Sequence, residues 1–372
     1  MEQFTHSQRV LNAIACKPSD RTCYANLDGG LIGRWHDPTF LPGDMYTRPE
    51  WAMDTIIEAA RKMGGDTCAN YIYGPIMAMD YTGIYYKTPG RELVMDTCFQ
   101  AIETNPLDED ERIDFILENG VQAYIDKFVV PNWPEWAFDE GEKGGMYAGM
   151  YAEKCMEAGE EWFNMPIPQN GGAMFYNMSR GYMKYLKDLR RIPEKVKKVS
   201  QMFADWELAT NEAMWAEMGG LQCIFPAWGR FDNNTLNPRK FDEFVWPVTR
   251  SWIDYAADHN KLLVLHADGE YSQTLNKHLC EFTPGNTIIQ CDGFTKPDDI
   301  AEELVKTRLC FMGDVPASMF TMGTPEDVYN HVIHLKQLFG PGLILYSGCG
   351  TPFNTRLENV DAYIEAANTN NY

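Results

Sequence analysis

Basic residues are scarce in this sequence of 372 residues: 32 Lys and Arg stand against 53 Asp and Glu, and the formal net charge at pH 7 is −21. Binding to nucleic acid or to an anionic membrane surface requires basic patches, so this charge balance argues against both kinds of partner. Apolar residues make up 45% of the chain, a proportion typical of a globular protein with a sizeable core.

Long apolar runs and a targeting signal are also missing. The first residues, Met1 to His6, contain no basic stretch followed by an apolar one, and no run approaches the ~20 residues of a membrane span. We therefore expect no membrane partner and a cytoplasmic location. The 10 cysteines include no Cys-x-x-Cys and show no paired spacing, so we expect reduced thiols and no disulfide framework.

Three common functional motifs are absent as well. The glycine pairs Gly29-Gly30 and Gly171-Gly172 lack a Gly-x-Gly-x-x-Gly or P-loop pattern, so they give no sign of a nucleotide site. No Gly-x-Ser-x-Gly occurs, which removes the simplest interpretation as a serine hydrolase.

Short apolar runs of strand length alternate with segments of helical periodicity. The pattern predicts strands at 22–27, 67–73, 221–225, 261–265, 287–291, 308–312 and 342–346, and helices at 49–63, 193–218, 240–259, 297–306 and 325–339. Such βα alternation predicts an α/β fold with a parallel sheet, and the length favours a single (β/α)8 TIM-type barrel over residues 1–372. The less regular stretch 80–178 is interpreted as insertions on that barrel. Within the pattern, Asp28-Gly29-Gly30 and Gly144-Gly145-Met146 are interpreted as loops.

Chemistry-bearing side chains in such a barrel lie where the strands end. The residues at those positions are Asp28, Asn70, Trp228, His266, Asp268, Asp292, Asp314 and Cys349. His266 and Asp268 are two apart, so on a continuing strand both point to the same side. Together with Cys349 they form a plausible metal site, since zinc accepts imidazole, carboxylate and thiolate ligands.

Three further residues have two interpretations each. Cys310 lies on the preceding strand and is either a fourth ligand or a buried, inert thiol. Asp292 and Asp314 begin their loops, where a carboxyl group serves either acid–base catalysis or the capping of a helix.

Several of these motifs resemble the uroporphyrinogen decarboxylase superfamily. The resemblance rests on Arg9-Val10-Leu11-Asn12-Ala13-Ile14 with Pro18-Ser19-Asp20-Arg21, Leu265-His266-Ala267-Asp268-Gly269, Gly313-Asp314-Val315-Pro316, Gly323-Thr324-Pro325-Glu326-Asp327-Val328, and Gly348-Cys349-Gly350-Thr351-Pro352. It is strong from about residue 219 onward and thin in the middle of the chain. Membership of this superfamily implies a TIM-type barrel.

Two branches of the superfamily compete. True decarboxylases carry an "R-Q-A-G-R" motif whose arginines hold the carboxylates of the substrate, whereas this chain has Asn26-Leu27-Asp28-Gly29-Gly30-Leu31 there. Corrinoid-dependent methyltransferases bind zinc through "H-x-C" and a later "G-C-G-x-P". His266 and Cys349 match that pattern, and Asp268 replaces the first cysteine. The resemblance implies Zn2+ held by His266, Asp268 and Cys349, with Cys310 a further candidate.

The expected function is therefore transfer of a methyl group from a small methyl donor, such as a methoxylated aromatic compound, to the Co(I) corrinoid of a partner protein. Asp292 or Asp314 would orient or protonate the leaving group. Aromatic residues of the insertions are candidates for the substrate wall, although packing is the commoner role: Trp133, Trp136, Tyr147 and Phe175. The alternatives are a cofactor-independent decarboxylase and a non-catalytic relative that binds a corrinoid protein.

Overall fold

The computed structural model describes residues 4–69, 81–164, 169–218 and 223–369. Its strands are Cys23–Tyr24 (β1), Ile84–Lys87 (β2), Gln100–Glu103 (β3), Cys223–Ile224 (β4), Leu262–Ala267 (β5), Thr287–Cys291 (β6), Cys310–Val315 (β7) and Leu343–Ser347 (β8). Its α-helices are His6–Ile14, Gly29–His36, Asp44–Thr47, Pro49–Met63, Asp110–Asn119, Val121–Tyr124, Trp136–Glu157, Gly171–Arg180, Tyr182–Arg191, Pro193–Met218, Pro238–Phe244, Trp246–Asp258, Ser272–His278, Pro297–Thr307, Ala317–Met322, Pro325–Phe339 and Leu357–Asn368.

Six strands form one parallel sheet in the order β1-β8-β7-β6-β5-β4. Two further chain segments join the ends of this sheet. In segment 66–68, the N–H of Asp66 donates to the carbonyl oxygen of Tyr24 in β1, and Thr67 is bridged in parallel to Phe163. Gln169 is bridged in parallel to Pro226, just beyond β4. These contacts link eight parallel chain segments into a ring and confirm the predicted (β/α)8 barrel.

The barrel strands are the most buried part of the chain. Every residue of β6, β7 and β8 is buried, as expected where one face fills the barrel and helices cover the other. On the outer side, for example, the ring of Phe311 stacks on Phe339 with centroids 4.2 Å apart. The strand ends are thus carried by a rigid scaffold.

The stretch predicted as insertions contains structure of its own. Strands β2 and β3 pair as an antiparallel hairpin that is separate from the barrel sheet. The helix Trp136–Glu157 follows, so Gly144-Gly145-Met146 lies within a helix and its interpretation as a loop was wrong. The barrel resumes before the predicted end of the insertions, because Phe163 and Gln169 already belong to the ring.

Two other element predictions were wrong. Gly29 and Gly30 begin the helix Gly29–His36 directly after Asp28, where a loop was expected. The single helix predicted over 240–259 is two helices that meet at Val245. Pro247 explains the break, because its nitrogen has no hydrogen to donate and its ring obstructs the preceding turn. Asn70 and the rest of the strand predicted through residue 73 lie outside the described residues.

Within the described part of the chain, no helix is both long enough and apolar enough to cross a membrane.

Candidate metal centre

His266 is the penultimate residue of β5, and its side chain is 11% exposed. It lies in register with Gln290 of the neighbouring strand β6. The imidazole Nδ1 is 3.1 Å from Oε1 of Gln290. With the Nδ1 proton donated to that oxygen, Nε2 presents its lone pair on the opposite side of the ring. Gln290 therefore orients the imidazole, as the hydrogen-bond partners of metal-ligating histidines do.

Asp268 and Cys349 converge on the Nε2 side of His266. Oδ1 of Asp268 lies 2.9 Å from Nε2, and Sγ of Cys349 lies 3.9 Å from Nε2. The distance from Sγ to Oδ2 of Asp268 is 3.8 Å. One ligand atom from each of the three residues lies within 4.8 Å of the others. The structure thus brings together three of the four residues that the sequence predicts as ligands.

The loop that carries Cys349 is closed by hydrogen bonds of its own. The hydroxyl of Ser347 donates to the carbonyl oxygen of Cys349 at 2.6 Å, and the Thr351 hydroxyl donates to Oγ of Ser347 at 3.0 Å. The Thr351 N–H donates to the carboxylate of Asp28. These bonds fix the backbone on both sides of the sulfur.

The charge of the cluster is reflected in the pKa of His266. Burial of the ring opposes its protonation, but the nearby carboxylate of Asp268 and sulfur of Cys349 outweigh burial and raise the pKa to about 10. These two neighbours therefore favour a positive charge at this point. A divalent cation meets the same electrostatic demand.

The donor set fits zinc. Oδ1 of Asp268 is buried, lies 2.9 Å from Nε2 of His266 as its ion-pair partner, and has no further hydrogen-bond partner among the described residues. Imidazole, carboxylate and thiolate are ligands that zinc accepts, and three protein ligands leave one position for substrate, as in catalytic zinc sites.

Cys310 is not brought to this cluster. It is level with Ile288 on β6, which is level with Val264 on β5, two residues before His266. That register places it about 7 Å lower along the barrel and about 10 Å across two strands. Its thiol is fully buried, and burial raises its pKa well above the ordinary value. This position fits the interpretation of Cys310 as a buried, inert thiol. The candidate ligand set therefore does not include Cys310.

Asp292 lies beside the cluster at the end of β6. Its Oδ1 accepts the N–H of Phe294 at 3.0 Å, so it caps its own turn. Burial raises the pKa of Asp292, hydrogen bonds from backbone N–H groups of Phe294 and Gly269 lower it, and the negative charge of Asp268 raises it further. The pKa of the Asp292 carboxyl group is therefore higher than that of an ordinary aspartic acid.

Asp314 is in contact with His331 of the outer helix layer. Nε2 of His331, on the outer helix Pro325–Phe339, lies 3.0 Å from the carbonyl oxygen of Asp314 and 3.3 Å from its Oδ1. Burial raises the pKa of Asp314 to about 6, with His331 acting in the opposite direction. These contacts connect Asp314 to the outer helix. The structure does not bring Asp314 to the cluster of His266, Asp268 and Cys349.

The aromatic residues proposed for the substrate wall are used mainly in packing. Phe175 is 1% exposed, and its ring stacks on Phe203 at 4.2 Å. Trp133 packs against Tyr81 with centroids 5.4 Å apart. At the end of β4, Trp228 is also buried and donates from Nε1 to the hydroxyl of Thr249 at 3.0 Å.

The sequence matches a known protein family, and the structure is similar to that of a known protein. The family model described as uroporphyrinogen decarboxylase (URO-D) matches residues 172–370, more than half of the chain and the part that contains the whole cluster. Among solved structures, a methyltransferase from Methanosarcina mazei is similar with a TM-score of 0.65 and 17% sequence identity, over 98% of each chain. At that identity the likeness shows a shared fold. No curated protein matches the sequence.

Proposed function

This chain belongs to the uroporphyrinogen decarboxylase family, and from that membership we propose that it is a zinc-dependent methyltransferase. It moves a methyl group from a small methyl donor, a methoxylated aromatic compound, to the Co(I) corrinoid of a partner protein. The observation that carries the proposal is the convergence of His266, Asp268 and Cys349 at the C-terminal ends of the barrel strands. The fold shared with a methyltransferase supports it.

His266, Asp268 and Cys349 would hold the zinc ion. Bound there, zinc supplies Lewis-acid stabilisation of the charge that develops on the ether oxygen of the donor. Gln290 keeps Nε2 of His266 directed at the site. Transfer of the methyl group would break the bond between the methyl carbon and the oxygen, and the electron pair of that bond would stay on the oxygen. The oxygen must then gain one proton to leave as an alcohol or phenol. Asp292 would donate that proton, since burial and the charge of Asp268 raise the pKa of its carboxyl group.

The electrostatics of the same region argue against the decarboxylase alternative. Asp28, Asp268 and Asp292 follow three of the barrel strands, and Asp28 stands where the decarboxylases carry arginines. A substrate with many carboxylates would be repelled by these side chains and by the net charge of −21 of the whole chain. A neutral methoxylated compound meets no such repulsion.

The test combines metal analysis with two substrate classes. The purified protein is assayed for bound zinc and then for methyl transfer to Co(I) cobalamin from a panel of methoxylated aromatic compounds. We expect about one zinc per chain and transfer that is lost in His266→Ala. Decarboxylation of porphyrinogens without methyl transfer would establish the decarboxylase alternative. Binding of a corrinoid protein without either reaction would establish the non-catalytic one.

A further inference from the structure

Asp28 belongs to the segment 26–31, whose role the candidate metal centre does not explain. It follows β1, which pairs in parallel with β8 through Cys23–Ile344 and Tyr24–Leu345. The loops that leave these two strands therefore begin side by side at the same end of the barrel. The loop after β8 is the one that carries Cys349.

The carboxylate of Asp28 binds this loop at two points. One oxygen accepts the backbone N–H of Thr351, two residues beyond the sulfur ligand. The other accepts the hydroxyl of Tyr346 at 3.3 Å, three residues before it. Asp28 thus spans the turn that presents Cys349. An arginine at this position has no acceptor for either donor.

The helix that Asp28 introduces continues the same attachment. Arg34, in the helix Gly29–His36, donates to the carbonyl oxygens of Phe353 and Thr355, and its guanidinium lies 5.2 Å from the centre of the Phe353 ring. Trp35 Nε1 donates to Asp361 at 2.9 Å. The first strand and the helix Gly29–His36 are therefore attached by hydrogen bonds to the chain from Tyr346 into the last helix, Leu357–Asn368.

We propose that Asp28 is a positioning residue for the metal centre: its carboxylate fixes the β8 loop so that Sγ of Cys349 stays within ligand distance of His266 and Asp268. The inference rests on the proposed zinc-dependent function. In the decarboxylases, arginines at this place bind the carboxylates of the substrate. In this chain, the acid at the same place binds the loop that carries the proposed thiolate ligand. Removal of hydrogen-bond partners outside the ligand set typically weakens metal binding about 10- to 100-fold.

The experiment measures zinc affinity of the full-length protein by competition with a chromogenic chelator. Asp28→Ala removes both acceptors, whereas Asp28→Asn removes the charge and keeps one acceptor oxygen. We expect a loss of affinity of about 10-fold or more for Asp28→Ala and a smaller loss for Asp28→Asn. The matched control is Asp37→Asn, which makes the same charge change nine positions along the sequence at a partly exposed side chain. Its carboxylate accepts hydrogen bonds from the N–H and the hydroxyl of Thr39, two residues away.

A second readout separates positioning from general weakening. With Co2+ in place of zinc, the thiolate-to-cobalt absorption reports ligation by Cys349, and we expect it to fall in Asp28→Ala. If that variant does not fold, Tyr346→Phe and Asp28→Asn, which each remove part of the attachment, decide the question. Wild-type affinity and absorption in the folded variants would overturn the positioning role alone. A wild-type protein that binds no zinc would overturn the proposed function as well.

Discussion

The backbone of Gly348 packs directly against the backbone of Asp292. A Cβ atom on Gly348 would lie 2.4 Å from the carbonyl carbon of Asp292 and 2.5 Å from its carbonyl oxygen. The loop that carries Cys349 and the loop that carries the proposed proton donor are therefore in contact, and only a glycine permits this approach. The contact brings Cys349 and Asp292 close together at one end of the barrel.

Substitution of Gly348 is expected to displace Cys349. Gly348→Ala forces the two backbones apart, because no flexible side chain is available to yield. We expect a loss of zinc affinity of at least about 10-fold, measured by chelator competition. Gly350→Ala is the matched control, since a Cβ at that position meets no atom within 4 Å. Equal affinities in the two variants would show that the contact does not position the ligand.

Gln290 is expected to affect the metal centre without touching the metal. Gln290→Leu removes the acceptor for Nδ1 of His266 and lets the imidazole turn, so zinc affinity should fall about 10- to 100-fold. Gln290→Glu retains an acceptor oxygen and should recover much of the loss. Gln273→Leu, at an exposed position, controls for the substitution itself. Unchanged affinity in Gln290→Leu would contradict the orienting role.

The two cysteines proposed from the sequence should differ in their effect on metal content. Cys349→Ala removes a ligand of the cluster, and we expect it to abolish stoichiometric zinc. Cys310→Ala leaves a small void in a fully buried position and should cost stability while zinc content stays at the wild-type level. Elemental analysis of the two purified variants checks this. Loss of zinc in folded Cys310→Ala would restore that residue to the ligand set.

Asp292 should matter most for donors with poor leaving groups. Asp292→Asn cannot donate a carboxyl proton, so methyl transfer should slow in proportion to the basicity of the departing oxygen. We expect a loss of about 100-fold or more for donors that release weakly acidic phenols and a small loss for donors that release strongly acidic phenols. Rates across a series of substituted methoxybenzenes measure this slope. A uniform loss across the series would place Asp292 outside the proton transfer.

The stability of the fold should depend on pH through Asp314 and His331. Burial raises the pKa of Asp314 from 3.8 to about 6, so between these values the folded state binds a proton that the unfolded chain releases. This contribution is lost as pH rises from about 4 to about 6. Burial lowers the pKa of His331 but contacts with Asp314 raise it overall, and Asp298 adds to the rise. Its contribution is likewise lost as pH rises through the folded-state pKa.

The test compares Asp314→Asn with the wild type in chemical unfolding from pH 4 to pH 8. Relative to the wild type, the variant should gain stability as pH rises, by at most about 3 kcal/mol. The negative charge of Asp292 also acts on Asp314, so measurement in Asp292→Asn shows how much of the change it contributes. A parallel pH dependence in the variant and the wild type would contradict the assignment.

Local sequence signals predicted those elements whose stability is local. The helix predicted over 325–339 is present as Pro325–Phe339, and Thr324 and Asp327 form a capping box at its start. Gly29 and Gly30 have poor helix propensity and were interpreted as a loop, but packing of their helix against Pro49–Met63 overrides that preference. The candidate ligands His266, Asp268 and Cys349 were predicted from the barrel rule, because all three lie at or just beyond the C-terminal ends of strands.

The remaining parts of the site depend on contacts between distant segments. Gln290 was missed because its importance arises from the register of β5 against β6, and its own sequence context shows only a polar residue in a strand. Asp28 was noticed as a missing arginine, while its bond to Thr351 requires the closure of the barrel. Asp314 satisfied the strand-end rule, yet His331 of the outer helix is its partner.

The most direct test of the central claim is the loss of the Co(I) absorbance of reduced cobalamin when zinc-loaded protein and a methoxylated aromatic compound are added. The account predicts that the absorbance falls with the wild-type protein, and that the fall is absent in His266→Ala and after removal of zinc by a chelator. Readdition of zinc should restore it in the wild type alone. Equal rates in the wild type and His266→Ala, or no loss with any methoxylated donor, would contradict the account.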